Sequence, residues 1–239
     1  MDFCRTTFHI VQQGDTFYRL AQQYRTTVPD IIQRNPGINP YNLQVGTRLR
    51  ICVGRGNETL QQEETDLNND MRMGWSQYNF WTTMFMNSLF HNLDNKNAVE
   101  NRLMQTPGDI ASVFGKFYSQ AMVNQLKQLL TEQTQLAGEL MGALQAGNMD
   151  QADQIESQMY QNGDQIARML ANANSRYDYE ELRRMLRMHI DTLKNTMMAD
   201  LNHEYDDTVR LIDENENHVL GIADALTEGL MEQFYQRPM

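Results

Sequence analysis

Two rhythms divide the chain. Up to about residue 53, short alternating apolar and polar runs flank two brief helical patterns; beyond it, apolar residues recur at steps of three and four. Phe8-His-Ile-Val11 is a β-favouring run closed by Gly14-Asp15, a turn whose Asp15 is placed to cap the next helix. Phe17, Leu20, Ala21 and Tyr24 then fall at helical spacing and predict a helix to about Tyr24. Thr27 or Val28 precedes Pro29 in the first turn of a second helix, where the missing N–H costs nothing. Ile31, Ile32 and Asn35 carry that helix until Asn35-Pro36-Gly37 stops it. Arg48-Leu49-Arg50-Ile51-Cys52 alternates again and predicts a half-buried strand. The order is β-α-α-β, a small α+β head over residues 1–53.

Residues 54–66 begin with glycine and stay polar, which predicts a linker turning into a helix lead-in. The body, residues 67–239, carries no further strand signal. Met71, Trp75 (or Gly74), Tyr78, Trp81, Phe85 and Leu89 predict a long aromatic-striped helix ending near Asp94-Asn95. A short helix over 98–105 follows. Thr106-Pro107-Gly108-Asp109 then restarts the chain, with Thr106 as cap and Asp109 as capping-box acid. The helix after it carries Met122, Leu126, Leu129, Gln133, Leu136, Leu140 and Ala143, a coiled-coil-like seam, up to the turn at Ala146-Gly147-Asn148. Ala152, Ile155, Met159, Gly163 (or Asn162), Ile166 and Leu170 make the next. The pattern then repeats at an offset of 56 residues: Leu182, Leu186, His189 and Leu193 follow Leu126, Leu130, Gln133 and, roughly, Leu136, while Leu211, Ile222, Ala223 and Leu226 follow Ile155, Ile166, Ala167 and Leu170. The expectation is an all-α bundle of about five helices built from two repeated hairpins behind an aromatic leading helix.

Charge sharpens the division. Seven arginines against three aspartates leave residues 1–55 at +4, so the remainder carries −15 of the net −11. An acidic body has no electrostatic reason to bind nucleic acid or an anionic membrane, whereas the basic head suits an anionic polymer such as a wall glycan. No apolar run reaches the roughly 18–20 residues that span a bilayer, so membrane insertion is not expected, and residues 1–7 lack the order of a signal peptide. Two cysteines, Cys4 and Cys52, are too few for a disulfide framework and wrongly spaced for zinc.

The head resembles the LysM module, on the Val11-Gln-Gln-Gly14-Asp15-Thr16 opening, the Asn35-Pro36-Gly37-Ile38-Asn39-Pro40 turn and Leu43-Gln-Val45-Gly46 leading to Leu49 and Ile51. The resemblance implies two antiparallel strands under two helices, and a shallow groove for an N-acetylglucosamine-containing glycan of peptidoglycan or chitin. Carried onto this chain, Gly14, Asp15, Thr16 and Phe17 form one side of the groove and Pro36, Gly37, Ile38 and Asn39 the other. Backbone amides around the glycine turn would meet acetamido groups, and Phe17 and Ile38 would lie against sugar and methyl faces. The plainer reading is that one stretch is only a helix cap and the other only a turn. In an antiparallel pair Cys4 and Cys52 are neighbours, so they are a disulfide candidate that would persist only in an oxidising compartment.

In the body, Gln133 and His189 occupy equivalent seam positions and are expected to be buried polar residues needing partners. Two readings stand side by side. One is a satisfied core histidine among solvated acidic faces. The other is a ligand or metal site joined by Glu132, Glu139, Asp164, His203 or His218, with Asp200/His203 and Glu214/His218 on common helix faces. The body also resembles a helical-bundle family of spore-forming Firmicutes. Leu129-Leu130-Thr131-Glu132 matches its hairpin motif, but Gln133 stands where that pattern has His, and Tyr78 replaces a His three residues before Trp81. Tyr160, Asn162, Asp164 and His189 match. If that family's histidines form a metal site, this chain has lost part of it. Frequent methionine, 17 residues, reads as adaptable core packing.

These observations point to a non-enzymatic wall or spore-envelope protein, with no catalytic residues, metal or cofactor. The head is expected to bind glycan and the bundle to serve as a structural or assembly module. The alternatives are a metal-binding or redox bundle delivered by the head, and a self-associating subunit whose head contacts protein.

Overall fold

The computed structural model describes residues 5–39, 43–53 and 57–234. The chain divides into two compact units, Met1–Leu67 with Leu230–Met239, and Asn68–Gly229.

In the head, β1 (Arg5–Ile10) pairs antiparallel with β2 (Arg48–Val53), in a register that sets Thr6 opposite Cys52 and Ile10 opposite Arg48. Val11 lies past the strand end but stays tied to it, donating to Thr47 O at 2.9 Å and accepting from Gly46 N at 2.8 Å. Strand alternation turns Leu49 and Ile51 inward, while Phe8 and Ile10 face outward and are exposed. The Arg48 guanidinium lies 3.8 Å over the Phe8 ring, covering part of that apolar surface.

Helices α1 (Phe17–Tyr24) and α2 (Val28–Arg34) are each opened by threonine: Thr16 accepts from Arg19 N and Thr27 from Asp30 N. Asp15 was expected to cap α1 but does not, because Thr16 is the extended residue directly before the helix and Asp15 is engaged elsewhere. Asn35 closes α2 and clamps it to β2. Its Nδ2 donates to Ile31 O and to Arg50 O, and its Oδ1 accepts from Arg50 N at 2.7 Å. The enclosed core is Val11, Phe17, Leu20, Ala21, Ile31, Leu49 and Ile51, with Tyr24, Val28, Ile38 and Leu43 packed against it.

Among the described residues the remainder folds into seven helices: five long, α3 (Asn57–Phe90), α6 (Gln120–Gln145), α7 (Met149–Ala173), α8 (Tyr179–Leu201) and α9 (Tyr205–Phe234), and two short, α4 (Lys96–Leu103) and α5 (Thr106–Phe114). The expected linker is largely helical, since α3 already starts at Asn57; its Glu- and Gln-rich sequence favours helix once any turn is nucleated. Helix α3 ends at Phe90, earlier than expected, with Asn92 taking a left-handed φ of 52°. Thr106 does not cap α5. It is buried and its hydroxyl donates back to Leu103 O. The helix expected to carry the seam breaks after Phe114 and restarts with Ser119 as the cap of α6.

On α6, Leu126, Gln133, Leu136, Leu140 and Ala143 are buried, while Met122 and Leu129 sit half-buried at the edge of a wider stripe that includes Val123, Leu130 and Ala137. Helix α6 packs on α5 and α7, and α7 on α8. The repeat is visible in the backbone. Helices α6 and α8 end 56 residues apart, α7 and α9 start 56 apart, and Gly147 and His203, likewise 56 apart, both take left-handed φ in the intervening turns, 71° and 62°.

Candidate functional site

The head loops are built on three left-handed glycines, Gly14, Gly37 and Gly46, each near φ +88°. Gly14 O accepts from Arg19 Nη1 at 2.9 Å, which pins the β1–α1 turn to the helix behind it. Asp15 is held from two sides: its Oδ2 accepts from Gln12 N at 2.7 Å and from His9 Nε2 at 2.7 Å. These bonds, the Gln12 N–H first and His9 after it, hold its pKa below the ordinary carboxylate value. His9 Nδ1 in turn meets the Tyr24 hydroxyl at 2.9 Å. Asp15 therefore organises the turn.

Phe17 is 2 % exposed and belongs to the core, so it offers no surface to a sugar; the correction follows from its position one residue inside α1, on the face that α1 must bury. Gly14 and Thr16 are exposed. On the other loop Pro36, Gly37 and Asn39 are exposed, Ile38 is half-buried against the core, and Ile38 N donates to Asn35 O at 3.2 Å. Both loops are thus anchored on one core, through Phe17 and Ile38. A side chain at Gly37 would meet nothing within 4 Å, which leaves its backbone open to approach. Cys52 is disulfide-bonded; Cys4 lies outside the described residues, as does Pro40.

The bundle core holds a second polar constellation. Tyr78 from α3, Gln133 from α6 and His189 from α8 line one cavity, together with Trp75 and the repeat-related pair Leu130 and Leu186. His189 Nδ1 meets Asn215 Oδ1 at 2.8 Å, Asn215 Nδ2 donates to Asn79 Oδ1 at 2.7 Å, and Asn79 Nδ2 donates to Glu216 Oε2 at 2.8 Å. Burial pushes the His189 pKa down to about 4, the Asn215 bond offsetting it only in part, and pushes Tyr78 up to about 12. Near neutral pH the constellation is an uncharged imidazole, a protonated phenol and an amide. That is hydrogen-bonding chemistry, poor in ligands for a metal ion.

The remaining candidates do not converge on it. Glu132 and Glu139 are exposed on α6. Asp164 is bound by Arg187 and Arg183 of α8; burial raises its pKa, but the two guanidinium groups outweigh that and leave it lowered. Glu214 pairs with Arg210, and His218 Nδ1 meets Thr192 Oγ1 at 3.2 Å. Asp200 and His203 share no helix face, because α8 stops at Leu201 and His203 sits in the turn where the first hairpin has Gly147. Asp200 instead lies 3.2 Å from His91. Of the Tyr160, Asn162, Asp164 segment, Tyr160 bonds Asp191 and Glu156, whereas Asn162 is buried with neither amide atom hydrogen-bonded. Among the described residues no three His, Cys, Asp or Glu side chains gather as a metal set. Sequence reasoning missed His9, Tyr24, Asn79, Asn215 and Glu216. Asn215 carried a signal, since it stands where the first hairpin has the buried Met159, 56 residues earlier.

The head is thus a two-stranded sheet with two short helices, its glycine-turned loops anchored on one core. Residues 9–51 match the LysM domain. No curated protein and no solved structure matches the chain. Among the described residues no helix is long and apolar enough to cross a membrane.

Proposed function

We propose that the protein is a non-enzymatic, wall-associated glycan-binding protein. Its head would hold an N-acetylglucosamine-containing chain between Gly14, Asp15 and Thr16 on one side and Pro36, Gly37, Ile38 and Asn39 on the other, and its bundle would serve as a structural or assembly module. The observation that carries this is the LysM match of residues 9–51 on a β-α-α-β fold whose two exposed loops share one core. The acidic body repels an anionic polymer, which leaves the basic head as the face of contact. We further place the protein at the spore envelope, on the likeness of the Tyr160, Asn162, Asp164 and His189 pattern to bundles of spore-forming Firmicutes. A disulfide between Cys4 and the bonded Cys52 would fit such an oxidising site.

The test is co-sedimentation of the full chain with purified peptidoglycan and with chitin, alongside the double variant Pro36→Ala/Asn39→Ala, whose side chains are exposed. Retention of the wild type and at least tenfold weaker retention of the variant are expected. Failure of the wild type to bind either polymer, or equal retention of the two proteins, refutes the assignment. The spore placement is refuted if antibody labelling of sporulating cells finds the protein away from the forespore surface.

A further inference from the structure

Strand β1 carries its polar and apolar side chains on the opposite faces from those a half-buried strand requires. Alternation turns Thr7 and His9 inward, where they are half-buried, and sends Phe8 and Ile10 to the outer face, where they are 54 % and 62 % exposed. Strand β2 follows the ordinary pattern, with Leu49 and Ile51 inside. It sets Arg50 opposite Phe8 and Arg48 opposite Ile10, and both arginines are exposed. Arg48 lies over the Phe8 ring, and among the described residues neither arginine has a carboxylate partner. The outer sheet face is therefore an aromatic and an aliphatic side chain flanked by two unneutralised cations. Protein interfaces are enriched in aromatic residues and arginine, and the surface that complements this one is apolar at its centre and acidic at its sides.

The chain displays such a surface at the start of α9. Tyr205 and Val209, about one helical turn apart, are 51 % and 61 % exposed. At about 100° per residue, Asp206 and Asp213 fall within the same arc of about 100° as that pair, and both are exposed. Among the described residues no cation pairs with either. Arg210 is turned to the adjoining side, where Asp207 and Glu214 hold it. Spacing agrees as well as charge: residues two apart on a strand stand about 7 Å apart, and residues four apart on a helix about 6 Å. Phe8 and Ile10 can thus lie along Tyr205 and Val209, with Arg48 and Arg50 reaching the two aspartates at the sides.

We propose that the outer face of the head's sheet docks on the start of α9 of a second copy of this chain. Two different surfaces meet, so the contact is head-to-tail and either closes into a ring or continues as a filament. It is small, and therefore weak for a single pair of copies, and gains strength where many copies are gathered. The contact uses the sheet face and not the glycan loops, so it does not rest on the glycan reading.

The test is sedimentation velocity of the full chain from about 5 µM to about 500 µM, at about 0.05 M and about 0.5 M salt. In low salt the average mass should rise above that of the monomer with concentration, and in high salt the association should weaken at least fivefold. Two charge-reversed variants, Arg48→Glu/Arg50→Glu and Asp206→Arg/Asp213→Arg, should each stay monomeric, because like charges then face one another. An equimolar mixture of the two should associate again, which contact within one chain cannot produce. A strict monomer in low salt, association that salt leaves unchanged, or a mixture that stays monomeric overturns the proposal. If either reversed pair does not fold, Ile10→Ser and Val209→Ser remove the apolar centre on each side. Each should then weaken wild-type association at least tenfold, and an unchanged association in either overturns the proposal. No glycan is present, so this outcome is independent of co-sedimentation with peptidoglycan.

Discussion

Acidification should destabilise the body through His189. The imidazole is buried between α3, α6 and α9, with His218 nearby and Glu216 reached only through Asn215 and Asn79, and its pKa falls from 6.5 in the unfolded chain to about 4 in the fold. A lowered folded pKa means that the unfolded chain takes up the proton first. Stability is thus fully present above about pH 6.5 and is lost as pH falls toward 4. Between about pH 7.5 and about pH 4.5 the linkage relation gives a loss on the order of 2–3 kcal/mol from this one residue. Both tryptophans, Trp75 and Trp81, lie in α3, and Trp75 lines the cavity beside His189, so urea unfolding followed by fluorescence reports this region. His189→Gln places in the second hairpin the residue that the first carries at Gln133, and it cannot titrate. The wild type should lose on the order of 2–3 kcal/mol more than this variant over the window. Parallel pH profiles for the two proteins would show that His189 takes its proton as easily in the fold as out of it, and the reasoning would fail.

Gly229→Ala should cost about 2–3 kcal/mol, because a Cβ there would lie 2.0 Å from Tyr177 Cε1, and that ring is held by its hydroxyl bond to Leu226 O at 2.6 Å. A midpoint shift in urea of less than a third of that size would refute it. Asp15→Asn should weaken the head by about 1–2 kcal/mol through the lost charge on the Gln12 and His9 bonds, seen as faster amide exchange at Gln12 and Leu20. A residue acting only on glycan would leave exchange unchanged. The lowered pKa of Asp15 adds that its contribution should disappear as pH falls below 3.8. Finally, a Cys4–Cys52 bridge would close a loop of about 48 residues and stabilise the head by about 4 kcal/mol. Reductant should therefore raise exchange at Leu49 and Ile51, and alkylation of Cys52 without reductant would exclude the bridge.

The head was legible because its signals are local. Thr16 and Thr27 cap the helices they precede, Pro29 fits a first turn, and Asn35-Pro36-Gly37 ends α2, all within a few residues of the positions they control. What Asp15 and Phe17 do was not legible, because a carboxylate beside a glycine turn and an aromatic at a helix start suit a ligand groove as well as they suit a cap and a core. The structure shows Phe17 packed into the core from the buried face of α1, and the strand register turns His9 inward onto Asp15.

In the body, periodicity and the 56-residue offset determined the two hairpins, the turn at Gly147 and the burial of Gln133 and His189, but not the matching turn at His203, where Asp200 and His203 were expected on one helix face. The short α4 was expected, but the break at residues 115–119 that makes α5 a separate helix escaped, because a stripe that continues in phase does not reveal a backbone that stops. The partners of His189 belong to the tertiary structure alone. Asn215 reaches Asn79 across 136 residues of chain, and no local pattern marks one asparagine for the other. Packing of α3 against α9 brings them together, and with them Glu216, which accepts from Asn79 at the far end of the bonds that start at His189.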